Sequence, residues 1–177
     1  LAGVIDSLGT LEDRAVIVVL DTGAGIHKGV LAFALAADTT ILLTTPEPTS
    51  VRDAYGVLKS LRSASSEGKE LLLVVNMANS EREAQEVADR ILTASRQFLG
   101  RSPAYLGPVL KDESVGRAVR LRKSFYRLFP AAPAGSCVRS LAEELFKRWG
   151  GLVGLPHPPR GLKTFFLRLS RGFFMEK

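Results

Sequence analysis

An aspartate and two glycines in the stretch DTGAG are the residues whose types and spacing first indicate chemistry. Asp21, Gly23 and Gly25 directly follow an apolar run over residues 15–20, which predicts a buried strand. In open α/β sheets the ligand crevice lies outside the carboxyl ends of the strands, so a carboxylate there is placed to serve a ligand. Glycine permits positive φ, which lets successive N–H groups converge on an anion such as a phosphate. The stretch predicts an anion-binding loop, and a tight strand-to-helix turn is the alternative.

The elements that would position this loop follow from the apolar patterning. Runs without alternation predict buried strands, at residues 15–20, 40–45, 71–76 and 105–110. The last of these contains Gly107 and Pro108 and suits a sheet edge. Apolar residues at helical spacing predict helices at 29–37, from a capping box of Ser50 and Asp53, from a capping box of Ser80 and Glu83, after Asp112, and over 138–149. Strands that alternate with helices predict an α/β fold, a parallel sheet with helices on both faces.

The composition is that of a globular protein with an anionic partner. The 177 residues are 46% hydrophobic and 24% charged, with a net charge of +6 and a pI near 9.8. A single cysteine, Cys137, excludes an internal disulfide and fits a reducing cytosol, and two histidines cannot assemble a zinc-type cluster. No apolar run approaches the roughly 20 residues of a spanning helix. The positive charge indicates nucleotide, nucleic acid or an anionic membrane surface as partner.

Residues 161–177 predict an amphipathic helix that binds a membrane surface. The apolar side chains on one face of it are Leu162, Phe165, Phe166, Leu169 and Phe173. Phenylalanine on one face and cations on the other suit an anionic leaflet. A terminal core helix packed on the sheet is the alternative. Residues 151–160, rich in glycine and proline, predict a linker between this helix and a domain over residues 1–150.

Four motifs in this order resemble a known family. They are DTGAGI after a buried strand, TTPEPTSVRDAYGVLK, LLLVVN, and a D-x-x-V-x-x-A-V segment that begins at Asp112. The chain resembles the MinD/ParA family of deviant Walker ATPases, and within it the flagellar-number regulators of the FlhG/YlxH type. The resemblance implies a P-loop NTPase-like fold whose N-terminal part precedes these residues.

The resemblance also implies a role for each matching residue. Asp21 corresponds to the catalytic carboxylate that lies near Mg²⁺ and holds it through water. The nucleotide-binding residues so implied are Thr22, Gly23, Ala24, Gly25, Asn76 and Asp112. Asn76 offers both a donor and an acceptor to an adenine edge, and a strand-end asparagine bonded to its own turn is the alternative. The residues implied at a dimer or partner interface are Glu47, Thr49 and Arg52, and a capped helix start explains them as well.

Two departures from the family pattern change what is implied. A phosphate-binding loop of the form G-K-G-G-x-G-K does not occur in these residues, so we expect this chain alone neither to bind ATP tightly nor to hydrolyse it. The sequence begins at Leu1 rather than methionine, which suggests a fragment or a processed chain. If roughly 100 further residues that contain the loop precede Leu1, an ATP-dependent switch is favoured over an interaction module without a nucleotide site. Leu110 and Lys111 stand where the family has proline, which leaves the base contact of Asp112 open.

The leading hypothesis is an ATP-dependent spatial regulator of flagellar number or placement. ATP and Mg²⁺ would promote a homodimer that binds the anionic inner membrane surface and a regulatory protein partner, so the protein would be cytoplasmic and peripheral on the inner face of the cell membrane. The alternatives are a non-catalytic interaction module without a nucleotide site and a DNA-segregating relative, although nucleic acid is not the expected partner. One basic cluster predicts a solvated face, with membrane or nucleic-acid contact as its alternative: Arg117, Arg120, Arg122, Lys123 and Arg127.

Overall fold

The computed structural model describes residue 15 and residues 17–63, 69–150 and 161–174. The strands are β1 (Thr39–Thr44), β2 (Glu70–Ala78) and β3 (Ala104–Leu110). The helices are α1 (Lys28–Ala36), α2 (Pro48–Ser63), α3 (Glu81–Leu99), α4 (Glu113–Arg120), α5 (Phe125–Leu128), α6 (Pro133–Arg148) and α7 (Leu162–Phe174). The linker predicted over residues 151–160 lies outside the described residues.

The three strands form one parallel sheet in the order β1-β2-β3. In the pairing of β2 with β3, Leu72 lies beside Ala104 and Ala78 beside Leu110. The consecutive residues 72–75 of β2 are all buried. Because successive side chains of a strand point to opposite faces, β2 is covered on both of its faces. The predicted α/β fold is confirmed, and among the described strands β3 lies at one edge of the sheet, as its glycine and proline predicted.

A bulge in β3 explains why glycine stands at position 107. The register shifts opposite the step from Leu73 to Val74, where Leu106 is the extra residue. Gly107 has a φ of +149°, and a Cβ there would lie 3.0 Å from Leu141 Cδ2. The missing side chain therefore lets α6, which carries Leu141, pack closely on β3.

The prediction of a strand over residues 15–20 is wrong. Residue 15 and residues 17–20 have no regular secondary structure, and their side chains are exposed, by as much as 85% for Val19. A strand is stable when its N–H and C=O groups pair with those of a neighbouring strand. No strand of the described ranges pairs with this run. The apolar pattern is typical of a strand, but a strand also needs a neighbouring strand with which to form hydrogen bonds, and the pattern does not indicate whether one is present.

The prediction that residues 40–45 form a fully buried strand is wrong for one face. Leu42 and Thr44 of β1 are buried, whereas Ile41 and Leu43 are exposed, the latter by 63%. Alternate residues of a strand face opposite sides, so one face of β1 packs on the core and the other meets solvent in the described part of the chain.

The helix after β1 begins two residues earlier than its predicted capping box. α2 begins at Pro48, and the Ser50 hydroxyl accepts a hydrogen bond from the Thr45 N–H at 3.0 Å. Ser50 Oγ also lies 3.1 Å from the hydroxyl of Thr44. The serine hydroxyl thus satisfies the end of β1 rather than the start of α2, and Pro48 suits the first turn because its missing N–H needs no partner there.

The capping box predicted at Ser80 is confirmed, with one change of partner. Ser80 Oγ accepts a hydrogen bond from the Glu83 N–H at 3.1 Å. The Glu83 carboxylate accepts one from the Asn79 N–H at 2.6 Å, a residue before the position that the box usually uses. α3 ends at Gly100, whose φ of +66° is the left-handed conformation of a glycine cap. Its buried apolar side comprises Ala84, Val87, Ala88, Ile91, Leu92 and Leu99.

The chain divides into two compact units. The first unit comprises residues 1–40, 56–70 and 152–177, and it contains α1 and α7. The second unit comprises residues 41–55 and 71–151, and it contains β3 and the helices α3 to α6. In the second unit both α3 and α6 pack on β3. The core of that unit is therefore built on the central and edge strands of the sheet.

In the first unit α7 packs on α1. The rings of Phe33 and Phe165 stack with their centroids 6.2 Å apart, and Phe165 is only 9% exposed. Arg168 Nη1 donates to the carbonyl of Ala36 at 3.2 Å and to the carboxylate of Asp38 at 3.1 Å. The arginine thus satisfies a carbonyl at the C-terminus of α1, where a cation is favoured by the helix dipole.

Candidate functional site

The DTGAG stretch forms the loop that leads into α1. Asp21 is exposed, so its carboxylate is accessible to a ligand. Gly25 has a φ of +106°, and a Cβ there would lie 3.3 Å from His27 Cδ2. Glycine at this position is therefore required by the conformation of the loop. A Cβ on Gly23 would meet open space, which leaves room for the close approach of an anion.

A cavity of about 390 Å³ opens beside this loop in the first unit. It is lined by Leu20, Asp21, Thr22, Gly23, His27, Gly29, Val30 and Phe33. The last four of these residues belong to the start of α1 and the residue before it. Because the first N–H groups of a helix lack intrahelical partners, this end of the cavity favours an anion.

The donor set of the cavity fits Mg²⁺ held through its waters. Asp21 is the only carboxylate among the lining residues, and the Thr22 hydroxyl is the nearest neighbour in sequence that offers oxygen. Mg²⁺ usually keeps several waters and takes only one or two protein carboxylates together with substrate phosphates. In the ranges that the structure describes, no three His, Cys, Asp or Glu side chains converge as a metal-binding group.

In the second unit, three of the singled-out segments lie at one edge of the sheet. The segment 45–49 follows β1, Asn76 lies two residues before the end of β2, and Asp112 follows β3. The Lys111 N–H donates to the Ala78 carbonyl at 2.8 Å, which ties the ends of β2 and β3 together. Because carboxyl ends of parallel strands meet at one edge, these segments form the crevice side of the sheet.

Asn76 is bonded to its own turn. Its Oδ1 accepts a hydrogen bond from the Met77 N–H at 2.9 Å. Met77 has a φ of +59° and is exposed, and the register with β3 shifts between Asn76 and Ala78. The local alternative for Asn76 therefore holds for its carbonyl oxygen. Its role at an adenine edge stays a prediction that rests on the amide nitrogen.

Asp112 joins the N-termini of two helices. One carboxylate oxygen accepts from the Ser114 N–H at 2.8 Å, as predicted for the cap of α4. The other accepts from the Ala134 N–H at 3.1 Å, in the first turn of α6. The side chain of Ser114 first, and then the N–H groups of Ala134 and Ser114, hold the pKa of the Asp112 carboxyl below its usual range. The geometry accounts for Asp112 as a structural residue, and its contact with a base stays a prediction.

We expect Asp112→Ala to lower Tm by about 2–4 °C, because both helix N-termini lose their cap. The pKa of Asp112 is lower in the folded than in the unfolded chain, so the carboxylate stabilises the fold above the unfolded pKa near 4. That contribution is lost as the pH falls through the folded pKa. Calorimetry at pH 7 and at about pH 3 should therefore show a larger Tm difference at pH 7. Asp89→Ala, which removes an exposed carboxylate of α3, is the matched control, and an equal loss in it would contradict the capping role.

The predicted interface residues are exposed at the start of α2. Glu47, Thr49 and Arg52 all meet solvent, and the Glu47 carbonyl accepts the first helical hydrogen bond from Val51 N–H at 3.0 Å. Arg52 lies 3.5 Å from the carboxylate of its neighbour Asp53 in an exposed pair. Such a pair adds little stability, so both side chains remain available to a partner. The interface role of these three residues stays a prediction.

The residues predicted to bind a membrane are only partly exposed. Phe165 is buried against α1, Leu162, Phe166 and Leu169 are half-buried, and the side chain of Phe173 lies outside the described residues. The helix predicted at 161–177 is observed as α7, and its aromatic side packs on a helix rather than on the sheet. Within the described residues no helix is long and apolar enough to cross a bilayer. Membrane binding by α7 stays a prediction.

Two features of these surfaces were not found from the sequence. Met77 takes the left-handed conformation without being glycine or asparagine, and no local pattern indicates that. Arg168 reaches Asp38 across 130 positions of sequence. The sequence indicated only that Arg168 lies on the polar side of the amphipathic helix, and it did not indicate which residue Arg168 would contact.

The chain is similar to two curated proteins over nearly its whole length. It is 32% identical over 166 residues to the antiactivator FleN of Pseudomonas aeruginosa, which covers 94% of this chain and 57% of FleN. It is 31% identical over 168 residues to the flagellum site-determining protein YlxH of Helicobacter pylori, with 94% and 55% covered. The chain thus spans little more than half the length of these relatives. No protein-family model matches it.

Among solved structures, the fold is similar to that of the MinD cell division protein of Aquifex aeolicus. The TM-score is 0.59 at 20% sequence identity, over 85% of this chain and 61% of MinD. At this identity the likeness concerns the fold alone. The two relatives confirm the resemblance carried by the four motifs: the chain is a homologue of FleN and YlxH, regulators of the MinD/ParA family.

Proposed function

We propose that this chain is part of an ATP-dependent regulator of flagellar number or placement, in which nucleotide binding controls dimerisation and membrane attachment. The observation that carries the proposal is the similarity to an antiactivator and a flagellum site-determining protein over 94% of the chain. The exposed carboxylate of Asp21, on a glycine loop beside a cavity, supports the nucleotide part of it.

In this proposal the loop at Asp21 and the start of α1 bind the phosphates and the metal ion. The N–H groups of Thr22 to Gly25 and the first turn of α1 bind phosphate oxygens, and Asp21 holds a water of the metal ion. Mg²⁺, when bound, supplies charge neutralisation on the phosphates. Asp21 also orients water near the terminal phosphate, because phosphoryl transfer depends mainly on positioning and on electrostatic stabilisation.

In the second unit the proposed tasks concern the base and the dimer. Asn76 contributes its amide nitrogen as a donor to the adenine edge, while its oxygen keeps the bond to Met77. Glu47, Thr49 and Arg52 contribute exposed polar groups to the dimer or partner face. A segment at the carboxyl end of parallel strands is placed to respond to a ligand in that crevice.

The proposal is tested by sedimentation of a longer form that carries a phosphate-binding loop ahead of Leu1. We expect a dimer with ATP and Mg²⁺ and a monomer with ADP. Arg52→Glu should raise the dimer dissociation constant about tenfold, since one charge at an interface is reversed. Arg90→Glu, on the exposed side of α3, provides the matched charge reversal and should leave it unchanged. A monomer with both nucleotides would contradict nucleotide-gated dimerisation.

A further inference from the structure

Almost all of the net positive charge is concentrated in one part of the second unit. Residues 113–139 contain six cations and one acid, Glu113, so their net charge is 6 − 1 = +5 against +6 for the whole chain. These cations are here called the basic face, and they are Arg117, Arg120, Arg122, Lys123, Arg127 and Arg139. Such a concentration attracts acidic groups before any contact is made.

The basic face is not neutralised within the described ranges. The ion pairs of α3 and α6 join other residues, Arg82 to Glu86 at 3.0 Å and Arg148 to Glu144 at 3.1 Å. No cation of the basic face forms an ion pair with any carboxylate that the structure describes. All six side chains are on exposed residues. Their charge is therefore available to a partner.

Aromatic rings hold two of these arginines in place. The Arg139 guanidinium lies 5.8 Å from the centroid of the Tyr126 ring, and its Nε donates to the Tyr126 hydroxyl at 3.2 Å. The Arg117 guanidinium lies 5.1 Å from the centroid of the Phe129 ring. A guanidinium fixed in this way presents its planar fork with less entropy to lose on binding. The two contacts preorganise the face for carboxylate recognition.

Arg122 stands at a position that favours glycine. The Lys123 N–H donates to the Ala118 carbonyl at 3.1 Å and the Arg122 N–H to the Val119 carbonyl at 2.9 Å, the two bonds of a Schellman motif at the end of α4. Arg122 therefore takes the left-handed conformation, with a φ of +52°. This conformation is unfavourable for residues other than glycine, so the backbone conformation does not explain why arginine is found here.

Aliphatic side chains are exposed among the cations. Val119 is 69% exposed and Leu121 60% exposed, on either side of Arg120. Phosphate groups of a nucleic acid make no use of such side chains. A membrane surface would take up free aromatic rings, but a guanidinium group lies over each of the rings of Tyr126 and Phe129, and Tyr126 is 39% exposed. The exposed surface therefore combines guanidinium groups, which can bind carboxylates, with the aliphatic side chains of Val119 and Leu121.

We propose that the basic face binds an acidic amphipathic segment of a partner protein. Carboxylates of the segment contact the guanidinium groups of Arg117, Arg120, Arg122 and Arg139, and its apolar side contacts Val119 and Leu121. This recognition involves none of the residues assigned to nucleotide. Binding of the segment is tested without nucleotide. The proposal can therefore fail while the proposed function stands, and the proposed function can fail while this proposal stands.

The probe is a fluorescent 16-residue peptide of leucine and glutamate in helical amphipathic order, measured by anisotropy with the 177-residue chain. We expect saturable binding that Arg117→Glu with Arg120→Glu weakens by about tenfold or more. Two charge reversals on the exposed side of α3, Arg90→Glu with Arg82→Glu, should leave the affinity within about twofold. A peptide of the same composition in scrambled order should bind more weakly, because it has no apolar side. Equal affinity for both peptides, or no binding, would overturn the proposal.

Duplex DNA and vesicles of anionic lipid are the competing partners in the same assay. If either binds in a manner that depends on Arg117 and Arg120 while the amphipathic peptide does not, the proposal is wrong and the face serves that partner. Arg122→Gly separates function from folding. We expect its Tm to be unchanged or raised and its affinity for the peptide to be about threefold or more lower. Unchanged affinity for the peptide, whatever the Tm, would overturn the role of Arg122.

Discussion

Asp21→Ala is expected to lower ATP turnover by about 10²–10³-fold in a longer form that carries the phosphate-binding loop, because one positioned electrostatic group is lost from the site. The fold should be unaffected, since Asp21 is exposed. Released phosphate measured under saturating ATP and Mg²⁺, with far-ultraviolet circular dichroism on the same sample, checks both parts. Asp21→Asn should lose nearly as much, because the amide keeps the size of the side chain but not its charge.

The controls for this prediction come from the same chain. Asp89→Ala removes an exposed carboxylate from α3 and should leave turnover unchanged. The 177-residue chain alone should show no turnover, because its sequence holds no lysine-bearing phosphate loop. Turnover that persists in Asp21→Ala, or that appears in the 177-residue chain alone, would contradict the catalytic assignment.

The strands that were predicted correctly from the sequence are those whose pairing partners also lie among the described residues. Residues 71–76 and 105–110 are apolar runs that pair with each other, and both are strands in the structure. Residues 15–20 are just as apolar, but no described strand lies beside them, and they form no strand. Hydrophobicity thus identifies a segment that can be a strand, and hydrogen-bonding neighbours decide whether it is one.

The candidate site shows the same limit at the level of side chains. The capping role of Asp112 toward α4 was predictable, because donor and acceptor are two residues apart. Its second bond, to the Ala134 N–H, spans 22 positions and depends on how α6 packs on β3. Gly25 was predictable as a positive-φ residue from the loop pattern, whereas Met77 was not, because its conformation follows from a register shift in the sheet.

The amphipathic pattern of α7 was read correctly, but the pattern does not specify what covers the apolar side. A helix of 13 residues is marginal in water and needs a surface that takes up its aromatic face. In the structure α1 provides that surface, through the stack of Phe165 on Phe33. Membrane binding by α7 therefore requires that this contact open first, which lowers the apparent affinity by the fraction of molecules in which it is open.

Two substitutions are expected to change membrane binding in opposite directions. Phe166→Glu should weaken binding to anionic vesicles by roughly 10- to 100-fold, because a ring that would enter the lipid is replaced by a charge of the wrong sign. Asp38→Asn should strengthen it by up to about fivefold, because it removes the ion pair with Arg168 that helps to hold α7 on α1. Asp38 lies outside α7, so the charge and apolar face of the helix itself stay unchanged.

Co-sedimentation with vesicles that contain anionic lipid measures both effects, and neutral vesicles control for charge. A chain that lacks residues 161–177 should not bind, and Asp53→Asn, an equal charge change on α2, should behave as the parent chain does. Unchanged binding in Phe166→Glu or after removal of the helix would show that α7 is a packed terminal helix and no membrane anchor. Weaker binding in Asp38→Asn would show that the contact of α7 with α1 does not compete with membrane binding. In that case, loosening the contact would have reduced the population of molecules that bind the membrane.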